Sequence, residues 1–200
     1  MSFGTAKTLS FVERWLPHPL RILEVGCGDG DLASALVERG HEVVALDSDP
    51  AAVSAARARG VDARVATWPA FEGGMFDGVL FTRSLHHIEP LEGAVTRARE
   101  LLRPGGRILI EDFAPAEMSP RFLSWLRGEL SRIGEEWHQD PVHPFADIRR
   151  VVGSHFTIEY EADTPYCYRY FSDDDAKRIY DAELALAERP LGRRLVASLR

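Results

Sequence analysis

Cysteine is scarce in this chain: Cys27 and Cys167 are the two in 200 residues. They make no disulfide framework, and without a C-x-x-C pair or a His/Cys cluster the spacing of a zinc module is missing. A surplus of positive charge is missing too. Lys and Arg number 24 against 31 Asp and Glu, a formal net charge of −7, so the surface repels nucleic acid on average. The nearest thing to a basic patch, Arg193-Arg194, reads as the C-terminal end of a helix whose dipole it complements. No stretch reaches the roughly eighteen apolar residues of a membrane span. The amino terminus has no basic segment leading into a long apolar run, so the expected location is the cytoplasm, away from membranes. A phosphate loop ending in Gly-Lys-Ser or Gly-Lys-Thr is also absent.

What remains, 45% hydrophobic and 28% charged residues without repeats or a linker, is the composition of one ordinary globular domain. Its most informative stretch is Arg21-Ile-Leu-Glu-Val-Gly-Cys-Gly-Asp-Gly30. Ile22, Leu23 and Val25 form an apolar run suited to a parallel strand buried on both faces. Gly26, Gly28 and Gly30 end it, and Leu32, Ala33, Leu36 and Val37 then recur at helical spacing up to Gly40. Strand, bare turn and helix is how an open α/β sheet forms a ligand crevice, with the backbone free to approach its ligand. The next strand, His41–Leu46, runs into Asp47-Ser48-Asp49-Pro50. Asp47 at its tip is suited to accept hydrogen bonds from ribose hydroxyls. Asp49 suits the cap of the next helix, with Pro50 in its first turn. Together these features imply an adenosine-containing ligand.

Further along, residues 5–16 read as a leading helix stopped by Pro17, 51–59 as a crossover helix, 62–66 as a third strand and 77–81 as a fourth. Leu91, Ala94, Val95, Ala98, Leu101 and Leu102 mark an amphipathic helix. Pro104-Gly-Gly106 then turns the chain into a fifth strand over 107–112. Phe122, Leu123, Leu126 and Leu130 suggest a helix, and 145–152 another. Phe156, Ile158 and Tyr160, then Tyr166, Tyr168 and Tyr170 beyond Asp163-Thr-Pro165, alternate as the two arms of an antiparallel hairpin. Residues 172–189 look helical.

The acid-first order Glu24-x-Gly26-x-Gly28-x-Gly30 resembles motif I of the class I S-adenosylmethionine-dependent methyltransferases. Phe76–Ile88 resembles that family's fourth strand and following loop, and Leu101–Ile110 its fifth-strand motif. The resemblance implies a Rossmann-like α/β fold: a doubly wound sheet of seven strands in order 3-2-1-4-5-7-6, the last antiparallel. One domain is expected over residues 1–200: a leading helix (1–17), a cofactor-binding half (18–112), an acceptor-site cap (113–155) and a terminal hairpin and helix (156–200). It also implies transfer of a methyl group from S-adenosylmethionine to a small-molecule acceptor, leaving S-adenosylhomocysteine, without a metal. No nucleic acid or membrane partner is expected, and monomer and homodimer are both compatible with the sequence.

On the same resemblance, the backbone of Gly26, Cys27, Gly28 and Gly30 lies along the donor's methionine part, and Glu24 holds its amino end. Asp47 and Ser48 face the ribose, Thr67 and Trp68 the adenine, and Thr82 and Arg83 the crevice beyond the fourth strand. Relatives commonly carry an Asp after strand three for the adenine amine, where this chain has Val65-Ala66-Thr67-Trp68-Pro69. His86 and His87 are candidates for proton removal from the acceptor, since imidazole titrates near neutrality; packing under the cofactor is the competing role. Trp125, Trp137, His138, Tyr166 and Tyr168 are candidates for the acceptor pocket, with Glu111, Asp112 and His143 on neighbouring segments. Two other readings stay open: a nicotinamide dehydrogenase, against which Asp31 stands where a third glycine is required, and a binding module that keeps the cofactor fold without turnover.

Overall fold

A computed structural model describes residues 1–17, 19–138 and 143–199. Residues 139–142, within the segment rich in Trp, His and Pro, lie outside it. The described elements are α1 (Phe3–Trp15), β1 (Arg21–Val25), α2 (Asp31–Glu38), β2 (Glu42–Asp47), α3 (Pro50–Ala58), β3 (Asp62–Val65) and β4 (Phe76–Thr82). They continue with α4 (Leu91–Leu101), β5 (Leu102–Phe113), α5 (Pro120–Ser131), α6 (Phe145–His155), β6 (Phe156–Thr164), α7 (Asp173–Ala185) and β7 (Gly192–Leu199). One seven-stranded sheet runs β3-β2-β1-β4-β5-β7-β6. Strand β7 is antiparallel to both neighbours, and the expected order is observed.

Strand alternation divides the core between the two faces of this sheet. Leu23, Val25, Val79, Phe81, Ile108 and Ile110 turn toward α4 and α6. Ile22, Leu80 and Leu109 turn toward α1 and α2. Helix starts follow local chemistry: the Asp49 side chain accepts from Ala51 N at 2.8 Å with Pro50 first in α3, and the Ser119 hydroxyl caps α5.

Three expectations are corrected. The hairpin at 156–170 does not form: β6 pairs with β7, and α7 lies between them in sequence. Tyr166–Tyr170 instead enter a short 3₁₀ turn, in which residues two apart no longer share a side. Arg193-Arg194 lie in β7 rather than at a helix end, Arg194 paired with buried Glu111 and Arg193 with the half-buried Glu117 and Asp163. Pro104-Gly-Gly106 is an irregularity within β5, between the pairings Phe76–Leu102 and Gly78–Arg107, rather than a turn before it.

Candidate functional site

The loop between β1 and α2 is fixed from β2. Gly26 N and Cys27 N donate to Leu46 O at 2.8 and 2.9 Å, and Gly28 N donates to the Asp47 carboxylate at 2.8 Å. The glycines have different tasks. A Cβ on Gly30 would lie 2.6 Å from Ala56 Cβ, and one on Gly26 2.5 Å from Ser84 Cβ; one on Gly28 would meet nothing within 4 Å. All three have positive φ. Gly26 and Gly30 therefore serve packing, whereas Gly28 faces open space.

The same strand alternation that divides the core brings Glu24, Thr82 and Glu111, at the carboxyl ends of β1, β4 and β5, to the α1/α2 face. Thr82 Oγ1 donates to Glu24 Oε1 at 3.2 Å. The other oxygen, Oε2, is buried without a hydrogen-bond partner, and burial pushes the Glu24 carboxyl up to about 8, outweighing the Thr82 bond and the Arg83 charge. Glu111 is the opposite case. Its carboxylate is held by Arg169, by Arg194 Nε at 2.7 Å and by Thr8 Oγ1 at 2.8 Å. Desolvation is outweighed there, and its pKa lies below the ordinary value.

Asp112, one residue on, points to the other face. Its Oδ1 lies 2.6 Å from Nδ1 of buried His86, an ion-pair distance without the alignment of a hydrogen bond. Among the described residues no protein partner is recorded for His86 Nε2. Next to it a chain of rings runs on: His86 is 4.8 Å from Phe113, edge-on; Phe113 stacks on Tyr166 at 4.9 Å; Tyr170 and Trp137 follow.

These groups surround three hollows. One, about 440 Å³, lies between Glu24, Gly28, Thr8 and Arg169. A second, about 420 Å³, lies on the far side of Gly26 and Gly28, against Asp47, Ser48, Thr67 and Trp68. The third, about 480 Å³, is the ring-walled one beside His86. Arg83 borders all three. Its backbone is left-handed, φ 65°, a conformation that costs a non-glycine residue about 1 kcal/mol or more. Its N–H donates to Glu111 O at 2.7 Å.

A family model for a methyltransferase domain matches residues 5–149 of this sequence. The chain belongs to the methyltransferase-domain family. An uncharacterised methyltransferase of Mycobacterium bovis is 31% identical to it over 132 residues, covering 60% of this chain and 67% of that protein. A ubiquinone biosynthesis O-methyltransferase of Methylocella silvestris is 37% identical over 105 residues, 47% of this chain and 41% of the enzyme. In fold it is similar to magnesium protoporphyrin IX methyltransferase from Synechocystis PCC 6803, solved with bound S-adenosylhomocysteine. The TM-score is 0.64 at 20% identity, covering 98% of this chain and 84% of that one.

In this member of the family, Glu24, Gly26, Cys27, Gly28 and Thr82 border the first hollow, and Asp47, Ser48, Thr67 and Trp68 the second. Gly30 stands behind the loop as the left-handed residue before α2. Trp68 is largely spent on the core: its indole N–H donates to Ala94 O at 3.1 Å and its ring meets Phe81 edge-on. Burial raises the Cys27 thiol to about 12, so it stays protonated. His86, Trp137, His138 and Tyr166 gather at the third hollow. His87 turns to the second. Tyr168 and Trp125, named with them from the sequence, do not line the third hollow. Tyr168 borders the first hollow, because the 3₁₀ turn separates it from Tyr166. Trp125 packs edge-on against Phe122. His143 braces the His86 loop, its N–H donating to His86 O at 3.0 Å. Sequence reasoning missed Arg169 and Thr8 as lining residues: Arg169 stood out only as a charge among Tyr, Cys and Phe, and Thr8, between Lys7 and Leu9 with Thr5 and Ser10 close by, gave no signal. Among the described residues no group of three or more His, Cys, Asp or Glu is arranged to hold a metal ion, and no described helix is long and apolar enough to cross a membrane.

Proposed function

We propose that this chain binds S-adenosylmethionine across the first and second hollows and directs its methyl group to a small-molecule acceptor in the third. Bound there, the donor supplies a methyl group already activated on a sulfonium, so the protein has only to align and desolvate the partners. Glu24 Oε2 carries the reading: a buried carboxyl oxygen lacking a partner, beside a loop left bare at Gly28, is a vacancy for a cationic amine. Asp47 uses both oxygens on backbone N–H groups, Gly28 at 2.8 Å and Asp49 at 3.0 Å. Each carboxylate oxygen can accept a second bond, so Asp47 and Ser48 suit the ribose hydroxyls. The adenine end, without an acid after β3, relies on the backbone around Ala66 and Thr67.

At the third hollow His86 takes the acceptor's proton at Nε2, with the Asp112 carboxylate 2.6 Å from Nδ1 on the other side of the ring. Acceptor size fits too, since about 480 Å³ falls within the range of small-ligand pockets, roughly 300–1,000 Å³.

The test is calorimetry with S-adenosylhomocysteine and with NAD on the full chain, followed by turnover with a labelled methyl donor and a metabolite extract. Homocysteine-adduct binding without NAD binding, and labelled product lost about a hundredfold in His86→Ala, are expected. NAD binding alone supports the dehydrogenase reading instead. Cofactor binding with no product from any acceptor supports the module.

A further inference from the structure

Arg83 borders all three hollows, and the methyl-transfer reading gives it no role. The other arginines near the hollows have carboxylate partners: Arg169 and Arg194 on Glu111, Arg193 on Glu117 and Asp163. No ion pair is recorded for the Arg83 guanidinium among the described residues. The side chain is exposed and stands where the three hollows meet. Its strained left-handed backbone is pinned by the 2.7 Å bond to Glu111 O. An exposed cation without a counter-ion, on a backbone kept at some cost, marks a place for an anion.

The surroundings narrow the anion's identity. One wall of the third hollow is a run of rings, Phe113 over Tyr166 at 4.9 Å, Tyr170 at 5.9 Å from Tyr166, and Trp137 at 5.5 Å from Tyr170, with Pro115, Leu130 and Ile133 also in the lining. Such a wall favours a flat aromatic body. Burial keeps the Tyr166 phenol un-ionised, so this wall adds no negative charge. Glu135 and Glu136 do add it, but they are exposed residues of the segment after α5. They disfavour an anion at that side of the hollow and leave Arg83 as its seat. One unpaired cation matches one negative charge, a carboxylate rather than a phosphate.

We propose that the acceptor is an aromatic carboxylic acid whose ring lies against the Phe113–Tyr166–Tyr170–Trp137 wall, whose carboxylate pairs with Arg83 and whose nucleophile faces His86. This rests on the donor and acceptor assignment above. It makes Arg83 the residue that selects the acceptor's charge.

The experiment is calorimetry on the full chain saturated with S-adenosylhomocysteine. The probes are hydroxybenzoates and hydroxynaphthoates, each beside its carboxamide and its aminomethyl counterpart. At least one acid is expected to bind tenfold or more tightly than its amide, with the amine weakest. Arg83→Gln is expected to remove the acid–amide difference and Arg83→Lys to restore part of it. Equal affinities within every set, or no binding by any probe, overturn the inference. So does an Arg83→Gln variant that weakens the homocysteine adduct while leaving the acid–amide ratio intact, which assigns the cation to the donor's own carboxylate. Failure of the wild-type protein to bind the homocysteine adduct sinks the donor reading instead, so the two failures are distinguishable.

Discussion

Gly28 and Gly30 look interchangeable in the sequence, yet their surroundings set them opposite tasks. A methyl group on Gly30 collides with Ala56 Cβ at 2.6 Å, whereas on Gly28 it enters space empty out to 4 Å. Both carry the left-handed penalty of about 1–2 kcal/mol for a Cβ, so the difference lies in what the Cβ meets. Gly30→Ala is expected to lower the melting temperature markedly, because neither backbone nor Ala56 has room to give. Gly28→Ala is expected to stay folded with a smaller loss and to weaken S-adenosylhomocysteine at least tenfold by calorimetry. Equal effects of the two variants on melting, with binding untouched in Gly28→Ala, contradict this division. The glycine spacing was plain in the sequence. Which glycine serves the ligand was not, because that depends on Ala56 and Ser84, distant in the chain.

Among the elements, the connection after β6 depends most on one side chain. Glu183 of α7 is buried, and its Oε2 accepts from Tyr166 N at 2.9 Å and Cys167 N at 2.8 Å. Its Oε1 accepts from Leu191 N at 2.9 Å. One carboxyl group thus ties the turn after β6 to the residue that leads into β7. Glu183→Ala is expected to cost about 3 kcal/mol or more, since three buried N–H groups lose their acceptor. Urea unfolding measures it, and a cost below 1 kcal/mol is incompatible with this role. Glu183→Gln, which keeps one acceptor oxygen, should fall between.

The same connection explains the failed hairpin. Tyr166, Tyr168 and Tyr170 have the spacing of a strand, but the two N–H groups beside them are claimed by Glu183 rather than by a neighbouring strand. Nothing within residues 156–170 announces an acceptor seventeen residues ahead. By contrast, the elements from β1 to β5 were legible because each is set by its own apolar periodicity and by the glycine or proline that ends it. Glu24 and Asp47 were legible for the same reason, each standing at the end of such a strand. Arg169 and the Glu111 cluster were not, since their partners come from α1, β5 and β7.

For the molecule as a whole, buried glutamates pull the pH dependence of stability in opposite directions, burial raising Glu24 and Glu183 while Glu111 is lowered. Burial raises Glu24 from 4.5 to about 8. Between those values the folded chain keeps a proton that the unfolded chain has released, so this contribution is full at acid pH and is lost as the pH rises toward 8. Glu111, lowered mainly by Arg169 and Arg194 against its desolvation, contributes stability above the ordinary carboxyl range and loses it in acid. The free protein is therefore expected to be most stable near the ordinary carboxyl value, about pH 4.5, and to lose stability from there toward pH 8. Urea titrations from pH 4 to pH 9 check this, and Glu24→Gln should flatten the alkaline limb alone. Binding of the homocysteine adduct at pH 7 should release a proton, seen as a buffer-dependent heat that Glu24→Gln abolishes. An unchanged alkaline limb in that variant disproves the assignment.

The short turn between β6 and α7 sends Tyr166 to one chamber and Tyr168 and Arg169 to another. A single short stretch thus serves two hollows, and on the proposed assignment any change there aimed at a new acceptor also disturbs the donor's seat. The span from Leu130 to His138 borders the third hollow without touching the first and carries no such double duty. Engineering of acceptor preference has its freest hand in that span.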